Sequence, residues 1–250
     1  MSSSVLPLFS LEDNCALVTG ATGALGHAIA EALRDVGARV AVVARSERVF
    51  DLAQEGFTCL QHDLAQPGKP RQAVSDALKS LGDLDILVTA HGIATRAPSE
   101  VFPADQWDRT LAVNLTSVFE IAQTAGAHFL RKKRGKIINI ASMLSFSGGL
   151  RVPAYAASKG GVAQLTKALA NEWAAHGINV NAIAPGYFAT PMTAALRSDP
   201  ERNQQILDRL PAGRWGEPED LKGAVVFLSS AASDYVHGII LPVDGGWLSR

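Results

Sequence analysis

Tyr155 and Lys159 are the residues whose types and spacing most directly suggest proton-transfer chemistry. They stand four positions apart in the segment Tyr-Ala-Ala-Ser-Lys, so on a helix their side chains share one face. A phenol normally has a pKa near ~10, and an adjacent ammonium group stabilises the phenolate, so we expect Lys159 to lower the pKa of Tyr155 towards neutral pH. The pair predicts a general acid and base, although the same spacing is common among surface neighbours.

Ser142 supplies the context that a surface pair would lack. It follows a short aliphatic run at 137–140, and an α/β sheet presents its ligands at the carboxyl ends of such strands. A hydroxyl group there can hold a substrate oxygen. The three side chains together predict hydride transfer to or from a carbonyl: Ser142 orients the oxygen, Tyr155 exchanges its proton, and Lys159 holds the nicotinamide ribose and tunes Tyr155.

A glycine-rich stretch near the N-terminus, Thr-Gly-Ala-Thr-Gly-Ala-Leu-Gly, predicts a cofactor site. It occupies 19–26, between an aliphatic run and a segment at 26–36 with helical spacing of apolar residues. Glycines allow a sharp turn and a close backbone approach, so a pyrophosphate can sit on the helix N-terminus. The residues expected to contact a dinucleotide here are Gly20, Thr22, Gly23, Leu25 and Gly26.

The end of the second aliphatic run, residues 40–43, bears on the choice of nicotinamide cofactor. Ala44 and Arg45 follow it, so no carboxylate stands where one would bind a free ribose hydroxyl. Arg45 could pair with a 2′-phosphate, which favours NADP(H) and leaves NAD(H) open, or it could be an ordinary exposed charge. Asp63, at the end of a further strand run between residues 43 and 86, could accept a hydrogen bond from the adenine amino group or cap the following turn.

The elements that must position these residues alternate along the chain. Short aliphatic runs are separated by segments long enough to hold a helix, which predicts a parallel sheet with helices on both faces. The expected fold is a Rossmann-like, doubly wound α/β sheet in a single domain of 250 residues, 1–250. The polar, Pro-bounded stretch 189–211 is a candidate substrate lid. The runs that we interpret as strands are Cys15–Thr19, 40–43, 86–88, 137–140 and 180–183.

Composition argues against several other classes of function. Lys plus Arg number 23 and Asp plus Glu number 24, so the chain has no excess positive charge that would favour binding to nucleic acid or to an anionic membrane. A basic run at 131–134 is predicted to be a solvated helix end. The six histidines lack metal-ligand spacing, so no metal is expected. The two cysteines form no disulfide framework, and the first ten residues carry no basic leader or membrane span, which predicts a cytoplasmic protein.

Taken together, these motifs resemble those of the short-chain dehydrogenases/reductases, and the resemblance runs from about Leu11 to the C-terminus. It implies a catalytic set of Asn, Ser, Tyr and Lys, in which Asn114 of Val-Asn-Leu holds a water that links Lys159 to solvent. It further implies contacts to the nicotinamide and to the adenine side of the cofactor. The nicotinamide-side residues are Pro185, Gly186 and Thr190, and the adenine-side residues are Asp63 and Leu64. Members of this family usually form tetramers, so a homotetramer is expected.

The sequence from Ile140 onward is similar to one subgroup of that family, the bacterial 2-deoxy-D-gluconate 3-dehydrogenases, also described as 2-dehydro-3-deoxy-D-gluconate 5-dehydrogenases. The similarity is carried by long segments, among them Pro-Ala-Gly-Arg-Trp-Gly-Glu-Pro at 211–218. The subgroup implies a sugar-acid substrate, whose carboxylate needs a cationic partner. Arg96 and Arg151 are the candidates, although either could instead be a structural ion-pair partner.

Three positions depart from the family pattern, all on the cofactor side. Ala24 replaces the usual second glycine of the loop, Arg45 follows a strand without an acidic end, and Thr-Ala-His-Gly at 89–92 replaces Asn-Asn-Ala-Gly. The last change places the imidazole of His91 near the expected cofactor ribose, next to Gly92. Two alternatives therefore stay open: an NADPH-dependent carbonyl or 3-oxoacyl reductase, and a non-catalytic nicotinamide-binding sensor. The intact proton-transfer pair disfavours the sensor.

Overall fold

The fold is built on one parallel sheet, seen in a computed structural model that describes residues 5–250. Residues 1–4, which belong to the predicted domain and N-terminal segment, lie outside the described residues. Seven strands pair in the order β3-β2-β1-β4-β5-β6-β7. Their bounds are β1 Cys15–Thr19, β2 Arg39–Ala44, β3 Thr58–Gln61, β4 Ile86–Thr89, β5 Gly135–Ile140, β6 Ile178–Pro185 and β7 Ile240–Val243.

The strand order confirms the predicted doubly wound α/β sheet. Every neighbouring pair of strands is parallel, and the order reverses between β1 and β4. The crevice at such a reversal, beyond the carboxyl ends of the strands, is where this architecture binds ligands. Thr19, Thr89 and Ile140 end the strands that border this crevice.

Helices cover both faces of the sheet. On one face, apolar side chains of α1 and α8 pack with alternate residues of the central strands. On the other face, α2, α4 and α5 pack against the intervening residues, among them the fully buried Leu17 and Ile137. The helices are α1 Ala24–Asp35, α2 Lys69–Leu81, α3 Ala104–Leu111, α4 Ser117–Lys132, α5 Pro153–Trp173, α6 Ala194–Arg197, α7 Pro200–Arg209 and α8 Lys222–Ser229. Among residues 5–250, none of the helices has the length and apolar character that crossing a membrane requires.

A single π-helical turn, residues Ala112–Thr116, joins α3 to α4 and carries Asn114. Such turns insert one extra residue into a continuous helix, and they occur frequently at functional sites. Here the turn offsets α4 from α3 and leaves the Asn114 side chain fully buried.

The basic run at 131–134 lies at the end of α4, and Arg131, Lys133 and Arg134 are exposed, as we expected from the sequence; Lys132 is the exception. α4 ends at Lys132, whose ammonium group donates hydrogen bonds of 2.6 Å to Asp83 and 2.7 Å to Asp85. Arg134 donates a further 2.8 Å bond to Asp85. Asp83 and Asp85 precede β4, so Lys132 and Arg134 also anchor the end of α4 beneath the sheet. Sequence reasoning missed this because the partners lie nearly fifty residues away.

We expect Asp83→Asn to make the fold less sensitive to acid. Burial opposes the ionisation of Asp83, but hydrogen bonds from Lys132, the Leu84 amide and His128 outweigh it and hold the pKa of this carboxyl well below its usual range. A carboxyl with a lowered folded-state pKa stabilises the fold above its unfolded pKa, about 4, and this contribution is lost as the pH falls further. Urea unfolding at a series of pH values should therefore show a smaller acid-induced loss of unfolding free energy in the variant.

The Lys136–Asp234 pair, 2.7 Å apart and with an exposed carboxylate, offers a matched control. Asp234→Asn should change the acid dependence of the unfolding free energy much less than Asp83→Asn does, because solvent screens the charge of an exposed carboxylate. An Asp83→Asn profile that parallels the wild-type profile would contradict the role assigned to Asp83.

The polar stretch 189–211 folds into α6 and α7 above the carboxyl end of the sheet. Ile206 of α7 is fully buried, and it packs with Leu210, Met143 and Trp247 in a small apolar cluster. This cluster fastens the C-terminal half of the stretch, whereas most side chains from 191 to 205 are exposed.

Candidate active site

Ser142, Tyr155 and Lys159 meet where β5 ends. Ser142 lies two residues beyond β5, and its hydroxyl accepts a 3.1 Å hydrogen bond from the Leu144 amide and lowers the pKa of the nearby Tyr155 phenol. α5 begins at Pro153, so Tyr155 lies in its first turn and Lys159 one turn further along. The Lys159 ammonium lies 5.8 Å from the centre of the Tyr155 ring. The predicted juxtaposition of these three side chains is therefore present.

The pKa of Tyr155 is raised in the protein alone, contrary to our expectation from the sequence. Burial raises the pKa of this phenol, and the hydrogen bond with Ser142 and the positive charge of Arg96 only partly offset the effect. Lys159 is buried as well, which lowers the pKa of its ammonium to about 8. The ammonium donates a 2.6 Å hydrogen bond to the Ile140 carbonyl. At neutral pH Tyr155 therefore holds its proton and can donate it to a bound oxygen.

Asn114 is placed to organise the loop that follows β4. Its amide nitrogen donates to the Ile93 carbonyl at 2.9 Å and to the Ser158 hydroxyl at 3.1 Å, while its amide oxygen accepts from the Ile93 amide at 2.9 Å. Gly92 fits closely beside it, since a Cβ atom there would lie 3.4 Å from the Asn114 oxygen and 3.8 Å from the Lys159 nitrogen. Asn114 and Lys159 thus border the same narrow space.

The glycine-rich loop has the geometry that a dinucleotide pyrophosphate requires. α1 begins at Ala24 after Gly23, and its first hydrogen bond runs from the His27 amide to the Gly23 carbonyl. The amides at the start of a helix have no intrahelical partner, so they are available to an anion. Gly20 has a left-handed φ of +74°, and a Cβ atom on Gly26 would collide with the Gly20 carbonyl. The substitution at Ala24 leaves this cradle intact because it falls on the first helical residue, so the site fits the cofactor.

Replacing Gly26 with Ala is expected to weaken cofactor binding strongly. The added methyl group would collide with the Gly20 backbone, so the turn under the pyrophosphate must open. Fluorescence titration should show a Kd for NADPH at least ~10-fold higher than in the wild type.

Gly23→Ala is the control for that substitution. A Cβ atom on Gly23 would lie 3.3 Å from the same carbonyl, and its φ of −89° suits any residue. Its effect on the Kd should be several-fold smaller, and equal effects of the two alanines would contradict the steric argument.

The end of β2 presents more polar groups than Arg45 alone. Arg45 is exposed, and its carbonyl accepts a 3.1 Å hydrogen bond from the Gln61 side chain. Ser46 caps the following helical turn by accepting a 3.2 Å bond from the Arg48 amide. Sequence reasoning did not single out Ser46 and Arg48, although the run Arg-Ser-Glu-Arg directly after the strand was the available signal.

The remaining predicted contacts lie around the same crevice. Asp63 accepts a 3.1 Å hydrogen bond from the Ala65 amide, so it does cap the turn after β3, and Leu64 beside it is buried. Pro185 ends β6, and Gly186 packs so closely on Asp244 that a Cβ atom would lie 2.7 Å from it. Thr190 is buried at the start of the candidate lid.

Arg96 and Arg151 lie on two loops that are joined beside Tyr155. The Ala97 amide donates a 3.0 Å hydrogen bond to the Arg151 carbonyl, and the charge of Arg96 acts on Tyr155. Both arginine side chains are exposed. Arg151 has a left-handed φ of +62°, a conformation that glycine adopts at lower cost and that is often retained at functional sites.

His27, Glu31 and Glu55 form a cluster of possible metal ligands on the surface, with ligand atoms within 4.8 Å of one another. The carboxylates already have cationic partners, since Lys222 lies 3.1 Å from Glu31 and Arg34 lies 4.0 Å from Glu55. His27 itself contacts Glu55 at 2.8 Å. We interpret the cluster as an ion-pair network.

Comparison with known proteins identifies the class to which this fold and site belong. Residues 20–248 match the model of a family described as enoyl-(acyl carrier protein) reductase. The chain is a member of the short-chain dehydrogenase/reductase family.

Individual relatives in that family are similar over nearly the whole chain. The 2-dehydro-3-deoxy-D-gluconate 5-dehydrogenase of Bacillus subtilis is 50% identical, with 97% of each chain covered. The structure of a candidate 2-deoxy-D-gluconate 3-dehydrogenase of Agrobacterium tumefaciens with bound NADP is 53% identical, with a TM-score of 0.90 over 97% of this chain and 99% of the other. A gluconate 5-dehydrogenase of Burkholderia cenocepacia in complex with NADP and tartrate is 38% identical, with a TM-score of 0.93 over 99% of this chain and 100% of the other.

Proposed function

We propose that the protein is an NADP(H)-dependent dehydrogenase that interconverts a secondary alcohol and a ketone on a deoxy sugar acid of the 2-deoxy-D-gluconate or 2-keto-3-deoxygluconate type. One observation carries this proposal: the proton-transfer pair Tyr155 and Lys159 meets Ser142 at the carboxyl end of β5, within the electrostatic reach of Arg96. The sugar-acid dehydrogenases that are similar over nearly the full length support the substrate class.

Each residue of the site has a distinct part in this reaction. NADP(H), when bound, supplies or takes the hydride. Ser142 donates a hydrogen bond to the reacting oxygen and fixes its position, and Tyr155 gives its proton to that oxygen during reduction. Lys159 reaches the cofactor ribose, and a water held near Asn114 links Lys159 to solvent, from which the proton lost by Tyr155 is replaced. Arg96 and Arg151 bind the carboxylate of the substrate.

The backbone around the glycine-rich loop would hold the cofactor. The residues in this role are Gly20, Thr22, Gly23, Leu25 and Gly26 on the pyrophosphate side, Asp63 and Leu64 near the adenine, and Gly92, Pro185, Gly186 and Thr190 towards the nicotinamide. Arg45 would pair with the 2′-phosphate, with help from Ser46 and Arg48 at the same strand end.

We expect Arg45→Asp to shift cofactor preference from NADPH towards NADH. The carboxylate would repel a 2′-phosphate and could accept hydrogen bonds from the free hydroxyls of NADH. The ratio of kcat/KM for NADPH over NADH should fall by ~10-fold to ~100-fold in steady-state assays. Arg131→Asp, which makes the same charge change at the far end of α4, should leave the ratio unaltered. If the ratio of kcat/KM for NADPH over NADH is unchanged in Arg45→Asp, then Arg45 does not bind the 2′-phosphate.

A substrate panel tests the proposed activity. Initial rates with NADPH and NADH should be highest on deoxy-keto sugar acids and much lower on 3-oxoacyl esters or simple ketones. A preference for the oxoacyl compounds would favour the alternative reductase activity. Tight NADPH binding without turnover of any compound would favour a nicotinamide sensor instead.

We also propose that the stretch 189–211 closes over the substrate, that the enzyme forms a homotetramer, and that it works in the cytoplasm. The exposed side chains of 191–205 support the lid, and the partly exposed Trp107 and Phe119 on α3 and α4 support an interface on the central helices. The unpaired thiols of Cys15 and Cys59 suit a reducing compartment.

Light scattering tests the proposed homotetramer. It should give a mass of about four chains, and a monomeric mass would contradict the assembly.

A further inference from the structure

The imidazole of His91, which replaces a small residue of the family pattern, is buried between the cofactor loop and the π-helical turn. Its Nδ1 atom lies 2.6 Å from the Thr19 hydroxyl, and its Nε2 atom lies 2.7 Å from the Ser117 hydroxyl. Thr19 is the last residue of β1, immediately before Gly20. Ser117 is the first residue of α4, immediately after the turn that carries Asn114. Both ring nitrogens of His91 are thus bonded to protein side chains, and the imidazole links two structural elements.

The hydroxyl hydrogens of Thr19 and Ser117 determine which nitrogen of the His91 ring carries the proton. The Ser117 hydroxyl has one hydrogen and donates it to the Val113 carbonyl at 2.6 Å, so its oxygen must accept from His91. Nε2 therefore carries the proton, and Nδ1 accepts from the Thr19 hydroxyl, whose other possible acceptor, the Val88 carbonyl, is farther away at 3.4 Å than Nδ1 at 2.6 Å. That hydroxyl oxygen accepts in turn from the Ala90 amide at 3.1 Å. Every polar atom is paired with the ring neutral, and burial together with the charge of Lys159 lowers the pKa of His91 to about 3.

The residues after His91 connect this cluster to the proton-transfer groups. Gly92 lies against Asn114 and Lys159, and the Ile93 peptide makes two hydrogen bonds to the Asn114 amide. On the other side, a Cβ atom on Gly20 would lie 2.8 Å from the His91 backbone. A shift of the imidazole would therefore move both the cofactor loop and the π-helical turn.

We propose that His91 is a positioning residue, which through its hydrogen bonds to Thr19 and Ser117 holds Asn114 in register with Lys159 and the cofactor loop. The proposal rests on the proton-relay role given above to Asn114. The competing explanation is that His91 only fills space in the core. The two explanations differ in what happens to turnover when the volume is kept and the hydrogen bonds are removed.

His91→Leu keeps a similar volume and removes both hydrogen bonds. We expect kcat to fall ~10-fold to ~100-fold while the KM for the sugar acid changes less than ~3-fold, because a small misplacement of a relay group affects the chemical step more than binding. His91→Gln can still donate to Ser117, so it should recover several-fold of the lost kcat. Ser117→Ala is a smaller change that removes one of the two hydrogen bonds, so it should also lower kcat. It replaces His91→Leu in the test if that variant fails to fold.

Two comparisons separate positioning from general stability. Thr166→Val breaks another buried hydrogen bond, the 3.0 Å contact from Asn139, and should lower the Tm without changing kcat. In a double-mutant cycle, His91→Leu should add little to the loss caused by Asn114→Ala, since both act on one relay. Full additivity, or a kcat in His91→Leu within ~2-fold of the wild type, would overturn the proposal.

Amide hydrogen exchange gives a readout that does not depend on turnover. In His91→Leu the amides of 112–117 should exchange at least ~10-fold faster than in the wild type, whereas Thr166→Val should leave them unchanged. Unchanged exchange at 112–117 overturns the positioning role whatever the substrate is. If exchange at 112–117 is faster in His91→Leu but the wild type turns over no sugar acid, the positioning role stands and the proposed function is wrong.

Discussion

Tyr155→Phe is expected to lower kcat by ~1,000-fold or more while leaving the Tm and the Kd for NADPH close to the wild-type values. The substitution removes only the phenolic oxygen, which Ser142 contacts and which carries the exchangeable proton. Steady-state assays on a deoxy-keto sugar acid, with thermal unfolding and cofactor titration in parallel, would measure all three quantities. Since burial keeps the Tyr155 pKa high, wild-type reduction of the ketone should also slow as the pH rises, and oxidation of the alcohol should speed up.

Tyr235→Phe is the matched control for this substitution. Tyr235 is 98% exposed in the turn before β7, so loss of its hydroxyl should leave kcat unchanged. A Tyr155→Phe variant with more than about a tenth of wild-type kcat would show that another group supplies the proton.

Arg96→Gln should lower kcat/KM for sugar acids by ~100-fold, equivalent to about 2.7 kcal/mol of lost transition-state binding. The charge of Arg96 acts on Tyr155, so we expect the guanidinium to lie within reach of the carboxylate of a bound sugar acid. The decisive comparison is a ketone of similar size without a carboxylate. Its kcat/KM should be low in the wild type and almost the same in the variant, because the lost interaction is specific to the anion.

Two further arginines complete that experiment. Arg151→Gln should reduce sugar-acid turnover in the same direction, since its loop is bonded to the Arg96 loop. Arg131→Gln, an exposed arginine at the end of α4, should have no effect. Equal losses on charged and uncharged substrates in Arg96→Gln would indicate a structural role in place of carboxylate binding.

Local patterns explain why much of the architecture was predictable from the sequence. The parallel sheet followed from the alternation of aliphatic runs with helical segments, and the strand at Cys15–Thr19 has the predicted bounds. The glycine loop was recognisable because the steric needs of Gly20 and Gly26 are local to the turn. β7 was not assigned to a run because it is a short edge strand interrupted by Pro242, and an edge strand tolerates a proline that a central one would not.

Properties set by distant contacts could not be predicted in this way. The pKa of Tyr155 is raised by burial under segments far away in the sequence, whereas the adjacent Lys159 was the visible signal. From the sequence we expected the His91 imidazole near the cofactor ribose, because it follows β4 beside Gly92, but the hydrogen bonds to Thr19 and Ser117 could not be predicted. Lys132 looked solvated because Asp83 and Asp85 are remote along the chain.

The central claim is that this site moves a hydride between the carbon of a deoxy sugar acid and NADP(H), and isotope transfer tests it most directly. The purified wild-type protein would be incubated with NADP and 2-deoxy-D-gluconate or a related sugar acid, deuterated at C3 in one sample and at C5 in another. Mass spectrometry of the reduced cofactor should show deuterium from one of these positions, which also identifies the reacting carbon, and no transfer in Tyr155→Phe. Bound NADP with no deuterium gained from either position would contradict the account.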